Sequence, residues 1–309
     1  MAERPNALAL KASVGKTTGG SNPSASARID VSRPRECVRE ARHDLQRPKI
    51  FAVQFTRFVA IGDSQTEGLG DPHPEYEFRG WADRLAERMA ALNPDLQYAN
   101  LAIRGKRTRQ VLEDQLEPAL ALEPDLIAAP LGMNDVIGRS DLAQVRADLD
   151  TIYRRLADSD ATVIVSTFPN IVRTIPFAAR KEHRLLELNE MNREFAATYG
   201  FLLVDLHAAP VLTDPRSWSS DRLHASPFGH ERFADAAAHA LGLPDATADW
   251  GNPLPPAPGP HPAAALVRDT RWAVEFFTPW LIRKFRGVSL GDGREPKRPS
   301  LSPIILRDN

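Results

Sequence analysis

Apolar residues follow two alternating rhythms between Phe51 and Leu241. Phe58–Ile61, Tyr98–Ala102, Asp125–Leu131, Thr162–Ser166 and Phe201–Asp205 are short, largely apolar runs with the length of buried strands. Between them, apolar side chains return every three or four positions, as Trp81, Leu85, Met89 and Leu92 do. That spacing predicts helices over Gly80–Leu92, Thr108–Ala119, Leu142–Leu156, Lys181–Tyr199 and Pro227–Leu241, with Pro227 suited to a first turn. Strands alternating with helices predict a five-stranded parallel sheet covered on both faces, because each parallel crossover needs a helix. Ligand groups in such sheets gather on loops at the carboxyl ends of the strands.

The rhythm is absent elsewhere. Residues 1–50 are rich in Ser, Arg, Pro, Ala and Gly and cannot bury enough surface to offset chain entropy, so a disordered extension is expected there. The ordered domain is expected over 51–243. Residues 244–265 carry seven prolines and read as an extended linker. Residues 266–287 form an amphipathic helix, apolar at Trp272, Phe276, Phe277 and Trp280 and basic at Arg268, Arg271, Arg283 and Arg286. Its aromatic residues either dock on the domain, the preferred reading, or lie on a membrane surface. Pro279 is expected to kink it. Residues 288–309 read as a polar tail.

Composition narrows the function classes. The 309 residues are 42% hydrophobic and 26% charged, ordinary values for a globular protein. A net charge of -1 gives no electrostatic case for nucleic acid. The single cysteine, Cys37, excludes an internal disulfide and a cysteine-based metal cluster. The core region has no His or Glu pairs at metal-ligand spacing, no P-loop and no dinucleotide fingerprint, so metal chemistry and phosphate cradling find little support. No apolar run reaches the length of a membrane span, and Leu8-Ala9-Leu10 is broken at once by Lys11, so a cytoplasmic location is expected. Oligomeric state is not legible.

The candidate chemistry falls on the expected sheet edge. Ser64 follows the first strand, between Gly62 and Gly68, where a turn exposes its hydroxyl; the competing reading is a helix cap. His224 is the candidate base, with Asp221 three residues earlier to orient its ring. His207 ranks second, and His230 reads as a packing residue. Asn134, after the third strand, offers either an amide donor to an oxyanion or a helix cap. Gly105, after the second, offers a backbone N–H or is a plain turn residue. Asp63 and Asp135 are expected to hold loops together. Leu69–Phe78 and Pro169–Arg180 are expected to border the pocket.

Read in order, Gly62-Asp63-Ser64, Asn100 with Gly105, Gly132-Met133-Asn134-Asp135 and Asp221-Arg222-Leu223-His224 resemble the sequence blocks of the SGNH hydrolases, the GDSL-type esterase/lipase family. The resemblance covers residues 55–242 and implies a flavodoxin-like three-layer α/β/α sandwich. It implies a serine esterase that uses no cofactor: Ser64 as nucleophile, His224 as base, Asp221 as its orienter, and an oxyanion hole of Ser64, Gly105 and Asn134. The substrate would be a small-molecule or lipid ester. The alternative is a binding or scaffold protein that keeps the fold without the chemistry. Two positions depart from the family pattern: Gln65 replaces the leucine of the family's name, at a position that varies in such sequences, and Ala225 stands where a proline often follows the histidine. The basic helix followed by Gly291-Asp292-Gly293 is similar to tails on actinobacterial members.

Overall fold

The computed structural model describes residues 55–74, 77–170, 175, 178–257, 262–286 and 289–306. The expected N-terminal extension and Cys37 lie outside these. Six strands form one sheet: β1 (Arg57–Ala60), β2 (Gln97–Asn100), β3 (Leu126–Ala128), β4 (Thr162–Ser166), β5 (Leu202–Val204) and β6 (Arg298–Pro303). Their order is β5-β4-β3-β1-β2-β6. The first five strands pair in parallel, with Phe58 opposite Tyr98 on one side and Leu126 on the other. Phe58, Val59, Ile127 and Ala128 are completely buried, as expected of strands covered on both faces.

Helices α1 (Ser64–Glu67), α2 (Gly80–Leu92), α3 (Thr108–Asp114), α4 (Leu116–Ala121), α5 (Met133–Gly138), α6 (Leu142–Ala157), α7 (Glu182–Tyr199) and α8 (Pro227–Leu241) supply the crossovers and flanking layers. Helix α2 packs on α8, while α6 packs on α3 and α7, giving the α/β/α sandwich. The α8 bounds match the sequence expectation, with Ser226 capping Gly229 N–H and Pro227 in the first turn. The single helix expected over Thr108–Ala119 is instead two, broken at Gln115. In an unbroken helix the Pro118 ring would meet the Asp114 carbonyl, and the break avoids that clash. Strand β3 ends at Ala128, short of the expected Leu131, because Pro130 has no N–H for a ladder.

The sheet has six strands where five were expected. Strand β6, within the segment read as a polar tail, joins the β2 edge antiparallel, Tyr98 facing Ser302. Its polar residues suit an edge with one side in solvent. Lys297, just before it, donates to the Arg79 carbonyl at 2.6 Å and pairs with the buried Asp83. Within 244–265, Trp250 and Leu254 pack against the core, and residues 258–261 lie outside the described set. The amphipathic segment forms α9 (Pro262–Trp272) and α10 (Thr278–Arg286), joined by a π-helical turn over Ala273–Phe277. The wide turn lies just ahead of Pro279, whose missing N–H and bulky ring interrupt regular α-bonding.

Candidate active site

Strand β1 delivers the chain into a tight turn at Gly62. Asp63 caps α1, accepting from Gln65 N–H at 3.2 Å, so Ser64 is the first helical residue rather than the cap. This leaves the Ser64 hydroxyl free to meet His224, whose Nε2 lies 2.9 Å from Oγ. The other ring nitrogen, Nδ1, lies 2.5 Å from Asp221 Oδ2. The second Asp221 oxygen accepts from the Ser219 hydroxyl and from the N–H groups of Leu223 and His224. Burial alone would raise the Asp221 carboxyl. Its hydrogen bonds and its attraction to His224 outweigh burial and hold it well below the usual carboxylate range.

The loop carrying His224 is held from several sides. The Gln65 amide donates to Leu223 O at 3.1 Å and accepts from Ala225 N–H at 3.3 Å. Gly70 lets the Ala225 carbonyl approach: a Cβ there would lie 2.0 Å from that oxygen, and φ is +96°. From the far side, Trp272 of α9 donates its indole N–H to the Asp221 carbonyl at 2.8 Å. Arg222, in left-handed backbone at φ +63°, pairs with Asp269 and stacks over the Trp272 ring at 4.9 Å. Trp272 is thus docked on the domain; the Trp280 side chain lies outside the described residues.

The serine turn is fixed from beneath. Gln115, at the break between α3 and α4, accepts from Gly62 N–H at 2.8 Å and donates to Gly62 O at 2.9 Å. Glu67 is buried against Arg104, accepting its main-chain N–H at 2.6 Å and pairing with its guanidinium. That pair ties α1 to the turn bearing Gly105. Ser289 of the C-terminal segment covers Gly105, its Oγ 2.3 Å from where a Cβ would stand. Among the described residues, neither the Ser64 nor the Gly105 N–H donates to a protein acceptor.

Asn134 is the second residue of α5, and Gly132 is the cap, so the capping reading of Asn134 fails. Its amide donates to Asp63 Oδ2 at 3.0 Å and to Lys106 O at 2.9 Å. Asp63 is fully enclosed, and burial pushes its carboxyl up to about 6 against the pull of Gln65 N–H and His224. Asp135 ties α5 to α3, accepting from the Thr108 N–H and hydroxyl. Both aspartates hold loops, as expected.

The rival histidines are engaged elsewhere. His230 accepts at Nδ1 from Trp81 N–H and donates from Nε2 to Leu69 O, bonds that fix it as a neutral ring. Burial lowers it to about 4. His207 Nδ1 bonds the Phe168 carbonyl at 3.2 Å. A narrow apolar cavity of about 50 Å³ opens beside Ser64, Asn134 and His224 and runs past Met133, Phe168 and Phe233 into the interior. An open cleft of about 510 Å³ meets it at His224, bordered by Leu69, Pro72, Phe78 and Phe276. Both segments expected to border the pocket contribute, Leu69–Phe78 to the cleft and Pro169 to the cavity. No group of His, Cys, Asp and Glu suited to a metal occurs among the described residues. No described helix is long and apolar enough to cross a membrane.

Sequence reasoning missed the supports. Gln65 carried a slight signal, since it departs from the leucine of the family's name, although that position varies. Gln115 carried none, its role arising from a helix break and a contact with Gly62.

A family model described as GDSL-like lipase/acylhydrolase matches residues 60–232. No curated protein matches the chain. Among solved structures, LAE5, an α/β hydrolase enzyme from the metagenome of Lake Arreo, Spain, is 24% identical at a TM-score of 0.50, covering 60% of this chain and 95% of its own. A catalytic mutant of an acetylxylan esterase from Geobacillus stearothermophilus is 20% identical at a TM-score of 0.53, covering 62% and 97%. These likenesses show the fold. The family match ends before α9.

Proposed function

This chain belongs to the GDSL-like lipase/acylhydrolase family and is an ester hydrolase, and on that premise we propose that it cleaves carboxylic esters through an acyl-enzyme on Ser64. The observation that carries this reading is the continuous contact from Ser64 Oγ through both ring nitrogens of His224 to Asp221.

Ser64 Oγ attacks the ester carbonyl carbon as its proton passes to Nε2 of His224, and the carbonyl electron pair moves onto oxygen. Ionised Asp221 keeps the proton on Nδ1 and so leaves Nε2 able to accept. The Ser64 and Gly105 N–H groups, which have no protein acceptor among the described residues, supply two donors to the oxyanion. Asn134 supplies the third by turning one amide hydrogen from the neutral Lys106 carbonyl to the charged oxygen, the stronger acceptor. Asp63 retains the other hydrogen and keeps the amide oriented. Collapse expels the alcohol, which takes the proton from Nε2. Water then attacks the acyl-enzyme, gives its proton to His224, and Ser64 recovers its hydroxyl as the acid leaves.

A fluorophosphonate probe tests this directly. The expected outcome is a covalent adduct on Ser64, found by peptide mass, and complete loss of both labelling and ester hydrolysis in a folded Ser64→Ala variant. Ester turnover that survives in Ser64→Ala would refute the mechanism.

A further inference from the structure

Two spaces meet at His224, and they differ in size, depth and chemistry. The cavity beside Ser64 and Asn134 holds about 50 Å³. A water needs roughly 10–15 Å³ by the same measure, so the cavity takes a few waters or a chain of about two to four carbons. The cleft holds about 510 Å³ and includes Asp221 and His224 but not Ser64.

The direction of proton transfer assigns the two halves of the ester. The acyl carbon stays bonded to Ser64, beside the cavity. The leaving oxygen takes its proton from His224, so the alcohol departs on the His224 side, where the cleft lies. The cleft walls are mainly apolar: Leu69, Pro72, Phe78, Pro227 and Phe276. Beyond Asp221 and His224, its polar side chains are the hydroxyls of Ser219 and Ser220, and no Lys or Arg lines it among the described residues. An alcohol bearing phosphate or carboxylate would find no counter-charge there.

Phe276 is half-buried and comes from the π-helical turn, outside the segment matched by the family model. The helix that carries it is anchored. One turn earlier, Trp272 bonds the Asp221 carbonyl, and Asp269 pairs with Arg222. The helix that supplies the wall is therefore anchored on the loop that supplies the catalytic pair.

Resting on the acyl-enzyme reading, we infer that the ester straddles His224, with a short acyl group beside Ser64 and a bulky, uncharged, apolar alcohol in the cleft against Phe276. The C-terminal helix is then a specificity element of the site.

The test is a set of esters assayed on the full chain. Wild type is expected to favour 2-naphthylmethyl acetate over ethyl acetate by roughly 10- to 100-fold in kcat/KM, the range that apolar contacts supply. It should also favour 2-naphthylmethyl acetate over the decanoate. Phe276→Ala should lower kcat/KM for 2-naphthylmethyl acetate roughly tenfold and leave ethyl acetate within about twofold. Ser220→Trp, at an exposed position on the cleft, should do the same by filling it. A loss shared equally by both acetates, or no loss in either variant, overturns the inference. Fluorophosphonate labelling of Ser64 in each variant separates the two readings: labelled protein without alcohol discrimination rejects the subsite alone. Ethyl acetate turnover in Ser64→Ala rejects the serine mechanism instead.

Discussion

The side chain of Gln65 grips the main chain on both sides of His224, donating to Leu223 O and accepting from Ala225 N–H. Neighbouring positions on the serine turn thus present the nucleophile and fix the loop of its base. Gln65→Leu installs the leucine of the family's name and removes both bonds. A misplacement of about 1 Å at a reacting pair can cost roughly 100-fold in rate. Gln65→Leu is expected to lower kcat by roughly 10- to 100-fold with KM little changed, read from steady-state kinetics on a short acyl ester. An unchanged kcat would show that Gly70 and Trp272 suffice to hold the loop.

Trp272 offers a graded probe of the C-terminal helix. Trp272→Phe keeps a ring over Arg222 and deletes the bond to the Asp221 carbonyl. It is expected to cost about 1 kcal/mol of stability. Trp272→Ala also removes the packing, for about 3–5 kcal/mol. Denaturant midpoints measure both. A loss in the Phe variant as large as that in the Ala variant would mean that the hydrogen bond outweighs the ring.

Gln115 satisfies both main-chain groups of Gly62 in a buried setting. Gln115→Ala strands a donor and an acceptor at about 1–3 kcal/mol each. The expected total is about 2–6 kcal/mol in chemical denaturation, together with slower fluorophosphonate labelling of Ser64. Gln115→Glu keeps the acceptor for Gly62 N–H and should lose less when its carboxyl is protonated. A Gln115→Ala protein as stable as wild type would place the support elsewhere.

Asp63 and His230 give stability opposite slopes in acid. Asp63 has its folded value raised from 3.8 to about 6, so the folded state holds the extra proton and stability falls as pH rises through that window. His230 has its folded value lowered from 6.5 to about 4, so the unfolded state holds the extra proton and stability falls as pH drops from 6.5 to 4. Each amounts to about 3 kcal/mol at full span. The two largely cancel between pH 4 and 6. Asp63→Asn removes one of them, so its stability, measured by denaturant titration at several pH values, should fall more steeply with acid than that of wild type. Parallel pH profiles would refute the assignment.

The parallel core was legible because its strands are apolar runs and its helices repeat at 3.6 residues, signals that burial itself imposes. Helix α8 was legible to the residue, its apolar repeat opening on Pro227, a residue suited to a first turn. The candidate chemical groups could be listed because short-range spacing carries them, as with Asp221 and His224. Strand β6 was not legible: an edge strand needs few apolar residues, and Arg298-Pro299-Ser300-Leu301-Ser302-Pro303 looks like loop until β2 offers it a partner. Gln115 and Ser289 were missed for a related reason. What they do depends on what the fold brings to them, at a distance no local pattern records.

Strand β2 is made early and its partner β6 very late. While the chain is being synthesised, the β2 edge stays open until Arg298–Pro303 has emerged, long after the rest of the sheet is available to pair. The Asp221 loop likewise waits for Trp272. Without these late segments the β2 edge lacks its partner, and the histidine loop is held by Gln65 but not by Trp272. Pairing of β6, rather than closure of the parallel core, is what covers that edge.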